Sequence, residues 1–286
     1  FKIFLNVFKI LVYLTFSLKG QSDFSFKNIS VKDGLSESTV KVVYEDIDGF
    51  IYFGTENGLD LYDGYEFINF QMNSFDTTSI FGNKVSTIYQ SQSNKLWLGT
   101  ELGVTIFNLN KRSFSRPLEL RSTDLKYLAN PDAILEDEFG NIWLKIPESG
   151  SIYKYDIDSK KTSCMNCFET SEIEPRRASY LYSDSNNGIW IGSTNGLFRY
   201  ESQINKIVKF SLPEKVENRK VNSIKEGKVG DLWIGTGNGL AKIDINTGRL
   251  INIYQASTTK NSIVSNNIKD IDWNNSKKEL WIATDN

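Results

Sequence analysis

Two cysteines, Cys164 and Cys167, have the greatest potential for chemistry in this chain, because only a Met and an Asn separate them. Thiols at this spacing can form a disulfide, bind a metal ion or exchange electrons. A zinc site needs further ligands, but the sequence has no second cysteine pair and no histidine. A redox motif of the thioredoxin type needs a helix N-terminus, which this strand-rich context lacks. A local disulfide, free thiols and a metal or redox site are the alternatives, and an oxidising compartment favours the disulfide.

Acidic turns offer a second candidate chemistry. The residues from Asp46 to Gly49 begin like a calcium loop, but Phe50 follows and no bidentate Glu stands at the required distance. A stretch from Asp244 to Gly248 is similar to one in quinone-dehydrogenase propellers, but it occurs once. Both patterns are typical of hairpin turns. We therefore predict no catalytic, cofactor-binding or metal-binding residues in this chain and no cofactor.

Composition narrows the function classes further. The absence of histidine removes the commonest general base, the commonest metal ligand and the phospho-acceptor of a histidine kinase from this segment. With 33 basic and 35 acidic residues the formal charge is −2, so nucleic acid is not an expected partner. Hydrophobic residues make up 40% of the chain, which is enough for a folded core.

The N-terminus has the pattern of a secretory signal. Lys2 and Lys9 precede an apolar stretch over 10–18, and small residues follow up to Ser22. This stretch is too short for a spanning helix. We predict a signal peptide over 1–22, with its start incomplete because Phe1 stands in place of Met, and export to the periplasm. A buried N-terminal helix is the alternative.

An internal repeat organises the remainder, 23–286. Six aliphatic–aromatic–aliphatic segments align with one another, and their aromatic residues are 45, 46, 47, 43 and 48 positions apart. The segments are 51–55, 96–100, 142–145, 189–193, 232–236 and 280–284. A period in the mid-forties is typical of β-propeller blades. Repeats of the WD type use a Gly-His pair and kelch repeats use a double glycine, and this sequence has neither.

Each repeat reads as four short strands separated by turns, with Asn-Gly and Asp-Gly pairs supplying positive φ angles. The tryptophan strand is apolar on both faces, as expected when neighbouring blades cover both sides of a sheet. A glycine after the apolar triplet, as at Gly54 and Gly192, indicates the close approach of a neighbouring blade. The predicted fold is all-β: a propeller of four-stranded antiparallel blades with negligible helix.

Two repeats depart from the pattern, and the last one is incomplete. The third has Lys145-Ile146-Pro147 where Gly-Thr is expected, and the second has Ser91-Gln92-Ser93-Asn94 instead of an Asp-x-x-Gly turn. We expect local irregularity in both blades. The chain ends within the sixth repeat, so about five and a half blades are predicted. The segment 24–29 reads as the outer strand of a further blade that closes the ring.

The chain closely resembles the regulator-propeller repeats found in the sensor regions of two-component histidine kinases. The residues that carry this resemblance are Lys32-Asp33-Gly34-Leu35-Ser36, Val40 to Asp46, Asp48 to Thr55, Asn57-Gly58-Leu59, Tyr62-Asp63-Gly64, and the linkers 79–85 and 261–268. The resemblance covers essentially everything after the signal peptide, and a motif repeated six times in order is more specific than any single match.

The resemblance implies a ring of seven blades in the periplasm of Bacteroidetes-like bacteria. It implies an oligosaccharide ligand, dimerisation of the full-length protein, and signalling to a hybrid histidine kinase. The same polypeptide would add a further propeller, an immunoglobulin-like module and an inner-membrane anchor. Under this hypothesis the segment is a sensor and not an enzyme. The alternatives are a propeller enzyme, either a lyase or a quinone-type oxidoreductase, and a structural adhesion scaffold.

If the ligand is a glycan, aromatic and amide side chains on the loops between blades would contact it. The loops 126–131 and 176–180 carry suitable residue types, among them Tyr127, Asn130 and Tyr180. Exposed loops are polar in any case, so the ligand-binding residues are left unassigned.

Overall fold

The computed structural model describes residues 27–116, 128–167, 177–212, 216, 219–228, 230–259 and 262–285. Within these ranges the chain is built almost entirely of strands, with one short 3-10 turn at Val31–Asp33. The strands are β1 (Val40–Glu45), β2 (Ile51–Thr55), β3 (Gly58–Tyr62), β4 (Phe67–Phe70), β5 (Val85–Ser91), β6 (Lys95–Thr100), β7 (Gly103–Asn108), β8 (Ser113–Ser115), β9 (Ala133–Glu136), β10 (Ile142–Ile146), β11 (Ser151–Tyr155), β12 (Thr162–Cys164), β13 (Ala178–Ser183), β14 (Ile189–Ser193), β15 (Gly196–Glu201), β16 (Lys206–Phe210), β17 (Val221–Glu226), β18 (Asp231–Thr236), β19 (Gly239–Asp244), β20 (Leu250–Tyr254), β21 (Ile268–Asn274) and β22 (Glu279–Thr284).

These strands form five four-stranded antiparallel sheets and one two-stranded sheet, each in simple sequence order. We refer to them as blades one to six. Because every blade is a meander, its strands are joined by short hairpin turns, as the Asn-Gly and Asp-Gly pairs predicted. The first strand of each blade packs against the first strand of the next, so these strands surround a common axis. The predicted propeller architecture is confirmed, including the half blade at the end.

The hydrophobic core lies between consecutive blades and not within any one of them. Trp143 on β10 is fully buried against the fourth blade, and Trp190 on β14 is fully buried against the fifth. Burial of such a ring contributes about 3 kcal/mol to stability. Trp281 occupies the same place on β22, but it is 61% exposed, since no further sheet among the described residues covers it.

A β-bulge marks the first strand of five of the six blades. In blade four the pairing of β13 with β14 shifts register between Ala178 and Tyr180, opposite Gly192. Equivalent shifts occur in blades one, two, five and six. Blade three has none, and β9 pairs with β10 in unbroken register up to Lys145. The irregularity expected in blade three is thus reversed, because this blade, with Lys145 in place of the glycine, has the regular ladder.

The segment that precedes β1 is attached to blade one by hydrogen bonds. Asp60 on β3 is fully buried, and its carboxylate accepts hydrogen bonds from the backbone N–H and the hydroxyl of Ser36, both at 2.8 Å. Gly34 has a φ of 110°, which a residue with a side chain rarely adopts. Residues 27–30 form no strand, and 1–26, including the predicted signal peptide, lie outside the described residues. The closing strand over 24–29 thus stays a prediction.

Candidate functional site

The two cysteines form a disulfide, with their Cα atoms 5.6 Å apart. The bridge closes a loop that presents the buried side chain of Asn166 to the start of β11. Its amide oxygen accepts from the Ile152 N–H at 2.7 Å, and its amide nitrogen donates to the Gly150 carbonyl at 3.0 Å. Of the three alternatives for this pair, the structure has the disulfide, and its geometry serves to fasten an edge of blade three.

In blades three and four, an aspartate begins the first hairpin turn and accepts hydrogen bonds both from the turn and from the tryptophan six positions later. In blade four the Asp184 carboxylate accepts from the backbone N–H groups of Asn186 and Gly188, and from Nε1 of Trp190 at 2.8 Å. Asp137 in blade three makes the same set of bonds, ending on Nε1 of Trp143 at 2.9 Å. The carboxylate oxygens of both aspartates are thus occupied by donors of the protein. The two turns predicted from the sequence, 46–49 and 244–248, connect β1 to β2 and β19 to β20.

Blade one uses a tyrosine in this arrangement. The hydroxyl of Tyr52 donates to Asp46 at 3.1 Å. Burial and the adjacent Asp46 charge raise the pKa of Tyr52. In blade two Ser91 replaces the aspartate, and Nε1 of Trp97 has no partner among the described residues. The irregularity expected in blade two is therefore the missing hydrogen bond from Nε1 of Trp97 to the first residue of the turn.

The axis of the propeller is lined by polar side chains, each of which reaches the inner strand of the next blade. Tyr44 donates to Gln90 at 2.7 Å, and the Tyr182 hydroxyl accepts from the backbone N–H of Glu226 at 2.9 Å. Burial raises the pKa of both tyrosines. Because their polar atoms are taken by neighbouring blades, these residues act as links within the ring.

The last of these links is an ion pair. Lys225 on β17 contacts Asp272 on β21 at 2.7 Å. The hydrogen bond to Asp272 raises the pKa of Lys225, and the same bond lowers the pKa of Asp272. Both groups are partly open to solvent, so this pair contributes little stability.

A second polar pair lies in blade three, between the residue that precedes β9 and a residue near the end of β10. The ammonium of Lys145 contacts the Asp132 carboxylate at 2.6 Å, and the lysine side chain is only 9% exposed. Beside it, the guanidinium of Arg177 donates to the carbonyls of Pro147 and Glu148. The positive groups here are paired within the protein.

A small cleft opens between blades three and four, on the face formed by the first and third hairpin turns. One wall is the β9–β10 turn, with Glu138 and Phe139, and the other wall comes from the turns after β13 and β15, with Asn187 and Gln203. Its volume is about 70 Å³. Sequence reasoning did not single out these residues. The available signal was Phe139, an aromatic residue in a turn position where four of the other five repeats have a polar residue.

The two loops suggested for glycan contacts lie partly outside the described residues, which do not include Lys126, Tyr127 and Arg176. Tyr180 is half-buried at the axis, where burial raises its pKa, and the Ser179 hydroxyl donates to the carbonyl of Val221 in the next blade. Among the described residues there is no group of three or more His, Cys, Asp or Glu side chains arranged to hold a metal ion. Nor does that part of the chain contain a helix long and apolar enough to cross a membrane.

Comparisons with known proteins agree with the fold. No family model matches the chain. A histidine kinase of Formosa agariphila is 39% identical over 79 residues, which is 27% of this chain and 6% of the kinase. The extracellular domain described as part of a hybrid two component system from B. thetaiotaomicron superimposes with a TM-score of 0.56 at 20% identity, covering 92% of this chain and 38% of that domain.

An enzyme shares the fold as well. A virginiamycin B lyase from Staphylococcus aureus superimposes with a TM-score of 0.58 at 15% identity, over 90% of this chain and 80% of the lyase. At such identities the likeness shows the β-propeller fold alone. The repeat motifs and the kinase match add a sequence likeness that the lyase lacks. The resemblance to the propeller sensor regions of two-component histidine kinases is thereby confirmed.

Proposed function

We propose that this chain is part of the exported sensor propeller of a hybrid two-component histidine kinase, and that its ligand is an oligosaccharide. The observation that carries the proposal is the 39% identity to a histidine kinase, combined with a propeller fold shared with an extracellular domain of a hybrid two component system. The chain spans about 38% of that domain and 6% of that kinase. Signalling, dimerisation and membrane anchoring are therefore proposed for the longer protein.

Two features of the chain support export. The segment 1–22 has the pattern of a signal peptide, and the bridge between Cys164 and Cys167 suits an oxidising compartment. A reporter that is active only outside the cytoplasm, fused after the segment 1–22 with an added initiator methionine, should be exported and cleaved near Ser22. Retention of an uncleaved fusion would contradict a periplasmic location.

The comparison with the lyase favours a sensor over an enzyme. In the solved lyase a histidine-to-alanine variant is catalytically inactive. This chain has no histidine, and the aspartates of its turns are engaged by backbone and ring donors. A lyase of that kind would thus lack its essential side chain here.

Isothermal titration of the purified mature chain against a panel of oligosaccharides tests the proposal. We expect saturable binding to at least one of them and unchanged saccharide after prolonged incubation, as judged by chromatography. Cleavage of a saccharide by the pure protein would establish an enzyme instead, and absence of binding across the panel would overturn the proposed ligand class.

A further inference from the structure

We propose that the cleft between blades three and four binds one ring of a neutral saccharide. This inference rests on the proposed function and adds the binding site and the charge class of the ligand. The cleft lies between two complete four-stranded blades. Its geometry therefore depends only on sheets that are present and fully paired.

The junction between blades three and four differs from the next junction in what the turn residues do. Between blades four and five, Ser185 donates from its backbone N–H and its hydroxyl to the Glu226 carboxylate at 2.7 and 2.8 Å, which draws the two blades together. Between blades three and four, the turn residue at the same position is Glu138, and the contact that the described residues show for its side chain is a single long one, from the Ser202 hydroxyl at 3.5 Å. The cleft opens beside this contact.

The polar groups at the rim are available to a ligand. The side-chain amides of Asn187 and Gln203 make no hydrogen bond to the described part of the chain, and both residues are exposed. Glu138 is exposed and has only its long contact to Ser202. Amides offer donors and acceptors together, and a carboxylate accepts from two adjacent hydroxyls. This is the combination that sugar hydroxyls require.

Phe139 supplies the apolar partner. Its side chain is 59% exposed at the rim of the cleft. The ring and the amides of Asn187 and Gln203 line the same cleft, so one ligand can contact all three. The C–H face of a sugar ring covers an aromatic ring in this way, while the hydroxyls at its edge face polar groups.

The charge around the cleft selects the ligand class. Asp137, Glu138 and Glu201 contribute to its lining. The one basic residue there, Arg199, stands across the sheet from Trp190, and its guanidinium lies over that ring at 5.3 Å, on the side facing blade five. The three carboxylates outnumber the Arg199 guanidinium in the lining, so an anionic sugar would meet a net negative charge, which is unfavourable. The cleft volume of about 70 Å³ accommodates part of one sugar ring, so the remainder of the oligosaccharide lies across the protein surface.

Titration with neutral, uronate-containing and sulfated oligosaccharides of matched length tests the inference. We expect the neutral ligand to bind best, and Phe139→Ala and Gln203→Ala to weaken its binding by at least about tenfold, the usual effect of removing a central contact. Phe75→Ala is the matched control, because Phe75 is a fully exposed aromatic residue on a linker between blades. Its binding should change by less than about twofold, as for a residue outside the contact.

The outcomes separate the site from the function. Binding that is unaffected by Phe139→Ala and Gln203→Ala, or that is lost in Phe75→Ala, would overturn this cleft while leaving the sensor proposal in place. Preference for the uronate or sulfated ligand would overturn the charge argument. No binding of any saccharide by the unaltered chain would overturn the proposed ligand class and this inference together. Circular dichroism melting verifies that each variant is folded.

Discussion

Blades three and four have the same four strands and the same aspartate at the first turn, yet they join their neighbours differently. In blade four, Gly192 lies opposite a bulge, and the bulged residue Ser179 donates to the Val221 carbonyl of blade five. In blade three, Lys145 replaces the glycine, the bulge is absent, and the lysine pairs with Asp132 of its own blade. The inter-blade hydrogen bond has been replaced by an ion pair within one blade.

In blades two, four and five the glycine, the bulge and an inter-blade hydrogen bond occur together. In blade two, Ser86 in the bulge donates to the Pro131 carbonyl at 3.1 Å, and in blade five Asn222 donates to the Ile268 carbonyl at 2.7 Å. A bulge re-aims one side chain toward the neighbouring strand. In blade three the glycine, the bulge and the bond are all absent, while the apolar packing between blades persists. Blade six has a bulge opposite Ala283, so the bulge itself does not require the glycine.

The largest effect is expected when Gly192 of blade four is replaced by lysine, the residue that blade three has at the equivalent position. A Cβ atom at Gly192 would lie 2.8 Å from Val221 Cγ1 and 3.1 Å from Tyr180 Cβ. Gly192→Lys should lower the free energy of unfolding by about 3 kcal/mol or more, because overpacking adds to the burial of an unpaired charge. Urea denaturation followed by tryptophan fluorescence measures this change.

Gly237→Lys is the matched control for that substitution. A Cβ atom at Gly237 would meet nothing within 4 Å. We expect a change within about 1 kcal/mol, as for a surface substitution that loses a glycine. Equal effects at the two glycines would show that crowding at the blade junction is not what requires Gly192.

A second test concerns the feature that blades three and four share. Asp184→Ala removes the acceptor for two backbone N–H groups and for Nε1 of Trp190. We expect a loss of about 2–4 kcal/mol, since buried donors are left without partners. Ser91→Ala in blade two should cost less than about 1 kcal/mol, because the neutral hydroxyl bonds only to Ser93 and the Lys95 carbonyl. Similar losses in both variants, measured by urea denaturation, would disprove the role given to the aspartate.

The blade architecture could be predicted from the sequence because its determinants are local and repeated. The strand with the central aromatic residue recurs in each period, and a turn containing glycine follows it in five of the six repeats, so the repeats support one common assignment. The regularity of blade three could not be predicted, since it depends on the pairing of Lys145 with Asp132 thirteen residues earlier in the chain. The cleft escaped prediction for a similar reason. Phe139 and Gln203 belong to different blades, and the repeat pattern does not show that their turns lie side by side.

A smaller effect distinguishes blade one, where Tyr52 takes the place that tryptophan has in blade four. Burial raises the pKa of Tyr52 above its usual value of 10.0. Above that pH the unfolded chain releases the phenol proton while the folded chain retains it, so stability falls by about 1.4 kcal/mol per pH unit for each such tyrosine. Tyr52→Phe should flatten this decline, although it costs about 1 kcal/mol at pH 8 through the lost bond to Asp46.

The decline is measured by urea denaturation between pH 8 and pH 11. Tyr65→Phe is the control, because Tyr65 is 91% exposed in a turn of the same blade. It should leave the slope unchanged. If both variants have the slope of the unaltered chain, then other buried tyrosines, such as Tyr180 and Tyr182, account for the alkaline loss.

The smallest effect is expected where blade three differs most from the others in sequence. Lys145→Met preserves the length of the side chain and removes the charge. Replacing a buried ion pair by an apolar group is often neutral or stabilising, whereas Asp132, at 42% exposure, keeps its contact with water. The free energy of unfolding in urea should therefore stay unchanged or rise by about 1 kcal/mol. A loss of more than about 2 kcal/mol would mean that the ion pair itself holds the blade, since Met restores nearly all of the packing. In that case the lysine compensates energetically for the missing bulge, and blade three is secured by charge where the other blades are secured by backbone geometry.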